Sequence, residues 1–215
     1  MGKKTSKAKI IQLIQEENPD ILCLEEFYWD QDNNTTPYTA ILQQLGYPYV
    51  NFSNESSFKK SRITSNTGKR ASIETGNAVF SKWPGRNHHK EVRGPGTYKI
   101  LSMEVVVDSL HIFNLNIVHL TSVRFGQKEM QYINEVQEKG VNAQDKNKSR
   151  FLLKKLMNAS AHRAILANSI DSLKRFMDYP IIICGDFNDV PGSYAYEKVK
   201  GDLSDAFNEK GAGLG

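Results

Sequence analysis

The chain has 215 residues, a formal net charge of +4 and a pI near 8.9, with 39% hydrophobic and 24% charged residues. That length and balance suit one globular domain with a sizeable core and exclude a disordered chain. The mild basic excess is compatible with a phosphorylated or polyanionic partner without requiring one. The two cysteines, Cys23 and Cys184, each sit inside an apolar run, which points to buried reduced thiols and away from a metal-binding pattern. No 18-residue apolar run and no signal peptide is present, so the chain as given reads as soluble, any signal or anchor lying outside it, and no membrane contact is expected from this segment.

Residues 1–8 read as a polar, basic tail, and 9–215 as a single domain. Ile10, Ile11, Leu13 and Ile14 recur at helical spacing and stop at Asn18-Pro19-Asp20. Ile21-Leu22-Cys23-Leu24 is expected to be a short buried strand that exits into Glu25-Glu26 and the aromatic Phe27-Tyr28-Trp29. A polar loop follows over 30–37, then a helix from Tyr38 to Leu45 ended by Gly46, and a strand from Tyr47 to Phe52. Residues 53–75 carry Lys59, Lys60, Arg62, Lys69 and Arg70 among Ser, Thr and Asn, a pattern of a surface hairpin or loop with a solvated face. Gly76 to Ser81 reads as a strand opening on glycine. His88-His89 reads as an exposed loop pair, since neighbours on a strand point to opposite faces and make a poor metal site.

Lys99 to Val107 and Leu110 to Leu120 read as two strands joined by a tight turn at Asp108-Ser109, the second ending in His119. Residues 123–149 look like an insertion or lid with a helix near Glu129–Gln137. A long helix over 150–177 takes its apolar positions from Leu152, Leu153, Leu156, Ala159, Ala164, Ile165, Ala167, Ile170, Leu173 and Phe176. Pro180 then precedes Ile181-Ile182-Ile183-Cys184, which reads as a buried strand ended by Gly185, with Pro191-Gly192 closing the loop beyond. A short helix is expected over Tyr194 to Val199.

Asp186 and Asn188 therefore stand just past a strand. At i, i+2 spacing in extended chain both side chains leave on one side, where a carboxylate and an amide can hold a water and a phosphoryl oxygen together. The plainer alternative is an Asx turn in which each bonds its own backbone. Glu26, His119 and the Asp186/Asn188 pair would then be three strand exits. Phosphoester hydrolysis needs a hard oxygen ligand for a divalent cation, a group to orient water, and donors for the developing charge. Glu26, Asp186, Asn188 and His119 are the residue types that supply them, provided the strands converge.

The runs Asn18-Pro19-Asp20-Ile21-Leu22-Cys23-Leu24-Glu25-Glu26, Gly76-Asn77-Ala78-Val79-Phe80-Ser81, Val118-His119-Leu120 and Gly185-Asp186-Phe187-Asn188 together resemble the endonuclease/exonuclease/phosphatase superfamily over about residues 9–208. The resemblance implies a DNase I-like fold, a four-layer α/β/β/α sandwich of two mixed β-sheets flanked by helices. It implies Mg²⁺- or Mn²⁺-dependent hydrolysis of a phosphoester, whether in nucleic acid, a phospholipid headgroup or an inositol phosphate. It assigns Glu26 to the metal, Asp186 to the attacking water, Asn188 to the scissile phosphate and His119 to phosphate binding or leaving-group protonation. Asn77 falls at the rim of the site. Glu25 stands where the family usually has glutamine, adding a charge that can perturb Glu26 or support it from behind. Arg163 recurs in such helices, with a surface or structural salt bridge expected for it rather than catalysis.

Two family segments have no counterpart: a first strand bearing a metal-sharing asparagine, and a final pair bearing an Asp-His dyad. The expectation is a domain truncated at both ends, weakly active or inactive as it stands, with unpaired strand edges that favour self-association. A non-catalytic binding module on the same fold is the alternative.

Overall fold

The computed structural model describes residues 6–30, 38–63, 70–89, 100–140 and 145–211. The chain forms two compact units. The first comprises residues 1–92, 99–118 and 177–185, the second residues 93–98, 119–176 and 186–215.

In the first unit, helix α1 (Ser6–Glu17) leads through Asn18 into strand β1 (Ile21–Asp30). Helix α1 takes in residues 6–8 of the expected polar tail. Helix α2 (Thr39–Gln44) precedes the long strands β2 (Tyr49–Ile63) and β3 (Arg70–Ser81). Strand β3 pairs antiparallel with both β1 and β2, giving a three-stranded sheet in the order β1-β3-β2. Of the two alternatives for the basic stretch, hairpin or loop, the antiparallel pairing of β2 with β3 is the hairpin. The side chains of its cations, and residues 64–69, lie outside the described residues.

A second, four-stranded sheet runs β4-β5-β6-β7, with β4 (Gly85–His89), β5 (Ile100–Val106), β6 (Ile112–His119) and β7 (Ile181–Asp186). His88 and His89 belong to β4 and not to a loop, although their side chains lie outside the described residues. The expected turn between β5 and β6 is built by Asp108, whose Oδ1 accepts from the backbone N–H of Leu110 at 2.8 Å and of His111 at 2.9 Å. Strands β4, β5 and β6 are antiparallel. Asn114 donates to the Pro180 carbonyl and Leu120 to that of Asp186, so the two chains step together and β7 runs parallel to β6.

Side-chain alternation explains the packing. On β1 and β3, Leu22, Ala78 and Phe80 face one way and share a buried cluster with Ile14 of α1, Leu42 of α2 and Tyr47. Ile21, Cys23 and Val79 face the other way and meet Leu101, Met103, Val105, Leu115 and Ile117 of the second sheet. Phe80 and Met103 are fully buried, each worth about 1.5–3 kcal/mol of apolar burial. Tyr47, itself buried, donates its hydroxyl to the Pro19 carbonyl at 2.6 Å, which fixes the chain between α1 and β1.

Strand β1 does not end at Leu24. A β-bulge falls between Leu24, opposite Ala78, and Phe27, opposite Gly76, so Glu25 and Glu26 together face the single position Asn77. The extra residue changes the parity of the strand. Before it Leu22 and Leu24 turn toward the helices; after it Phe27 and Trp29 do. Phe27 then packs edge-on against Phe80 at 5.4 Å, and Trp29 stacks on Phe52 at 5.1 Å. Without the bulge those aromatics would point to the wrong face and Glu26 would take their place.

Strand β7 is not the buried strand its apolar run suggests. It is an edge strand of its sheet, and Ile182 is 49% exposed.

The second unit holds α3 (Gln127–Lys139), α4 (Lys146–Lys174), α5 (Tyr194–Lys200) and α6 (Ala206–Lys210). Tyr132 of α3 bonds Ser149 of α4 at 2.7 Å, and Lys155 reaches Glu129 at 2.6 Å. Helix α5 starts on Ser193, whose Oγ accepts from Tyr196 N–H at 3.1 Å. It is tied to α4 by Tyr194 Oη donating to Asn168 Oδ1 at 2.8 Å and by Lys174 Nζ donating to the Val199 carbonyl at 2.9 Å. Asp205 caps α6, accepting from Phe207 and Asn208 N–H and from the Tyr196 hydroxyl.

Candidate functional site

Two clusters of candidate residues emerge, one in each unit.

In the first unit, the bulge of β1 places Glu25 and Glu26 opposite Asn77 of β3, which is in turn opposite Ser53 of β2. Glu26 is exposed and its backbone is left-handed, with φ 51°. Only a few per cent of non-glycine residues adopt that region, and the bulge is what holds it there. Asn77 is fully buried and Ser53 nearly so. Asn77 therefore stands behind the bulge and not at an open rim.

In the second unit, the loop after β7 folds back on the end of β6. Leu120 N–H donates to the Asp186 carbonyl at 2.8 Å, and Asn188 Nδ2 donates to the Leu120 carbonyl at 3.0 Å. Asp186 Oδ1 accepts from Asn188 N–H at 2.8 Å, an Asx turn, and Asn188 takes a left-handed φ of 48°. The two side chains thus do not leave an extended chain on one side; the turn intervenes. The turn is tied to the end of β6 through Leu120 instead. His119, 7% exposed, immediately precedes that residue, so its backbone lies at the strand end to which the Asp186–Asn188 turn is tied. Asp186 itself is exposed.

Arg163 makes the structural salt bridge expected of it, at a buried position and not on the surface. It lies on α4, 6% exposed, with Nε 2.8 Å from Asp189 Oδ2 and Nη1 donating to the Thr121 carbonyl at 3.0 Å. One guanidinium thereby clasps both strand exits, from Thr121 on one side and Asp189 on the other. Asp189 was not singled out from sequence. The available signal was a carboxylate following Gly185-Asp186-Phe187-Asn188, paired with an arginine on the apolar stripe of the preceding helix.

Two further chemical features are present. Cys23 and Cys184, on β1 and β7, are free thiols, and the neighbouring Cys184 together with burial holds the Cys23 thiol above its ordinary range. A groove of about 780 Å³ beside α3 and α4, lined by Tyr132, Lys148, Phe151 and Leu152, contains none of the candidate residues.

The sequence profile described as the Endonuclease/Exonuclease/phosphatase family matches residues 2–212. The chain belongs to that family. Its solved structural neighbours carry the same DNase I-like α/β fold built on two β-sheets. The human Nocturnin catalytic domain with bound sulfate is 18% identical, matched over 93% of this chain and 63% of that one, with a TM-score of 0.53. A beta toxin from Staphylococcus aureus is 15% identical over 93% of this chain and 65% of its own, at 0.53. ANGEL2, a 2',3'-cyclic phosphatase, is 19% identical over 90% of this chain and 46% of its own, at 0.50. Identities this low carry the fold and nothing finer. The chain spans between about half and two thirds of the length of these structures. No match was found among curated proteins.

The family's divalent cation can be tested against the donors present. Among the described residues no three His, Cys, Asp or Glu side chains group together. Glu26 offers one exposed, hard carboxylate. That fits Mg²⁺ or Mn²⁺ in its usual manner, held by one or two carboxylates while keeping several waters, and does not fit a cation that requires an all-protein cage.

Proposed function

We propose that this chain provides the catalytic centre of a divalent-metal-dependent phosphoester hydrolase of the phosphodiesterase or nuclease type. The observation that supports this most is the tie of the Asp186–Asn188 turn to Leu120, the residue after His119. Glu26 would hold Mg²⁺ or Mn²⁺, which when bound polarises a phosphoryl oxygen.

The rest falls to the chain's own side chains. Asp186 Oδ1 is engaged by the Asn188 N–H, which orients the exposed carboxylate while leaving Oδ2 to accept a proton from the attacking water. Asn188 spends one amide N–H on Leu120 and keeps a second to donate to the scissile phosphate. His119 donates to a nonbridging oxygen or to the leaving oxygen. Asn77 acts as a positioning residue behind the bulge, and Glu25 adds negative charge next to Glu26, which favours a cation. With one protein carboxylate assigned to it, the metal is held weakly, and turnover by this chain alone is expected to be slow. The substrate is a phosphoester in nucleic acid, a phospholipid headgroup or an inositol phosphate.

The test is an activity panel on an aryl phosphodiester, DNA, sphingomyelin and inositol phosphates, run with this chain and with any longer natural product containing it, in Mg²⁺ and in EDTA. The expected result is EDTA-sensitive hydrolysis that falls about 10²–10⁴-fold in Asp186→Asn and in His119→Ala. Hydrolysis indifferent to EDTA, or to both substitutions, overturns the reading. Binding without turnover in every form would instead support a non-catalytic module.

A further inference from the structure

The first half of α4 is built against the rules for a helix that serves only its own fold. Its buried side is Ala159, Arg163, Leu166, Ala167 and Ile170. Away from that side, Leu153 and Met157 are 57% and 63% exposed, and Phe151 is exposed as well. Lys146, Arg150, Leu153, Met157 and Ala161 follow one another at steps of three and four, so basic and apolar residues share one outward stripe.

Charge is equally one-sided. Lys146, Lys148, Arg150, Lys154 and Lys155 crowd the first ten residues, and no acidic residue appears in the helix until Asp171. The first turns of a helix carry the positive end of its dipole, where cations are disfavoured. Lys148 is offset by Asp145 at 3.0 Å and Lys155 by Glu129 at 2.6 Å. Lys146, Arg150 and Lys154 are exposed, and no ion pair involves them among the described residues. The cations near the N-terminal end cost the helix stability and the apolar side chains beside them are left in water, so the complement of this face is a surface that is anionic and also takes up apolar side chains.

We propose that the first three turns of α4 dock flat on an anionic lipid bilayer, with Lys146, Arg150 and Lys154 among the headgroups and Leu153 and Met157 entering the headgroup–acyl boundary. Leucine and methionine decide for lipid over nucleic acid, because a phosphate backbone rewards the cations alone, whereas an interfacial helix gains from both. The absence of a helix long and apolar enough to span a membrane, among the described residues, concerns a different mode of contact. The sequence expectation of no membrane contact rested on that same criterion, which does not sense surface seating.

The test is co-sedimentation of the purified chain with phosphatidylcholine vesicles with and without phosphatidylserine, across a salt series. Binding should require phosphatidylserine, weaken with salt, and fall at least about tenfold in Lys146→Glu/Arg150→Glu/Lys154→Glu. Leu153→Ser/Met157→Ser, with every charge kept, should also weaken binding several-fold. Both variants change exposed side chains, and circular dichroism with thermal melting verifies that each is folded. Failure to bind phosphatidylserine vesicles overturns the proposal. So does unchanged binding in the apolar variant, a preference for competing DNA that depends on the same cations, or a concentration-dependent dimer by light scattering that the apolar variant abolishes.

Discussion

Arg163 and Asp189 form a nearly dry ion pair, Nε to Oδ2 at 2.8 Å with side chains 7% and 14% exposed, and the same guanidinium holds the Thr121 carbonyl. The pair joins the long helix to both strand ends of the candidate site within the second unit. Removing the arginine strands a buried carboxylate and a backbone acceptor together. Arg163→Ala is therefore expected to cost about 3–5 kcal/mol in urea denaturation, the range for breaking a buried pair from one side. A loss under about 1 kcal/mol, typical of an exposed pair, would show that the clasp is not buried in solution.

Gly185 is the second point on which the exit of β7 depends. Its φ is 141°, and a Cβ there would lie 1.8 Å from the Val118 carbonyl oxygen, a backbone atom that cannot step aside without disturbing β6. Gly185→Ala combines a left-handed conformation with a clash between paired strands. The expected loss is at least about 2 kcal/mol by thermal or chemical unfolding. Near-neutral stability would mean that the two strands are further apart at this point than described.

Much of the fold could be read along the chain because local signals were strong: the helical spacing of Ile10, Ile11 and Ile14, the Asp108 turn, the β-branched run before Gly185. Three things could not. The bulge at Glu25-Glu26 leaves no local mark, since its reason is tertiary: Phe27 and Trp29 must regain the face that Leu22 and Leu24 occupy. The apolar run of β7 fits a central and an edge strand alike, and composition does not say which neighbours a strand has. For the candidate site, the sequence named Asp186 and Asn188, whose turn is tied to Leu120 next to His119, but the clasp that holds the neighbouring Thr121 and Asp189, through Arg163, pairs residues 26 positions apart through side-chain geometry alone.

Acid stability should carry a signature of Asp171. Its carboxylate receives Lys198 at 2.9 Å and Lys174 at 3.3 Å, and these bonds, that from Lys198 foremost, hold its pKa below the ordinary carboxylate value. A lowered folded-state value means that the group favours folding above the unfolded value near 3.9 and loses that contribution as pH falls through the lower folded one. The melting temperature of Asp171→Asn should thus lie below that of the parent at neutral pH, and the gap should close below about pH 4. Equal melting temperatures at pH 7 would show that the cluster tying α4 to α5 is neutralised by solvent.

Glu26 combines strain with an exposed charge, and the two can be separated. Glycine at this position relieves the left-handed backbone, worth about 1–2 kcal/mol, but returns about 0.4–1 kcal/mol to the freedom of the unfolded chain. Glu26→Gly should therefore be slightly more stable than the parent without metal. Glu26→Gln keeps both shape and strain and loses only the charge. If the carboxylate holds Mg²⁺, added metal should raise the melting temperature of the parent and of neither variant. Glu26→Gly then becomes the informative protein, since a gain in stability with loss of the metal response places the strain in the service of the charge. A marked fall in its stability would place Glu26 in the packing of the bulge, and an undiminished metal response in Glu26→Gln would move the cation to other ligands.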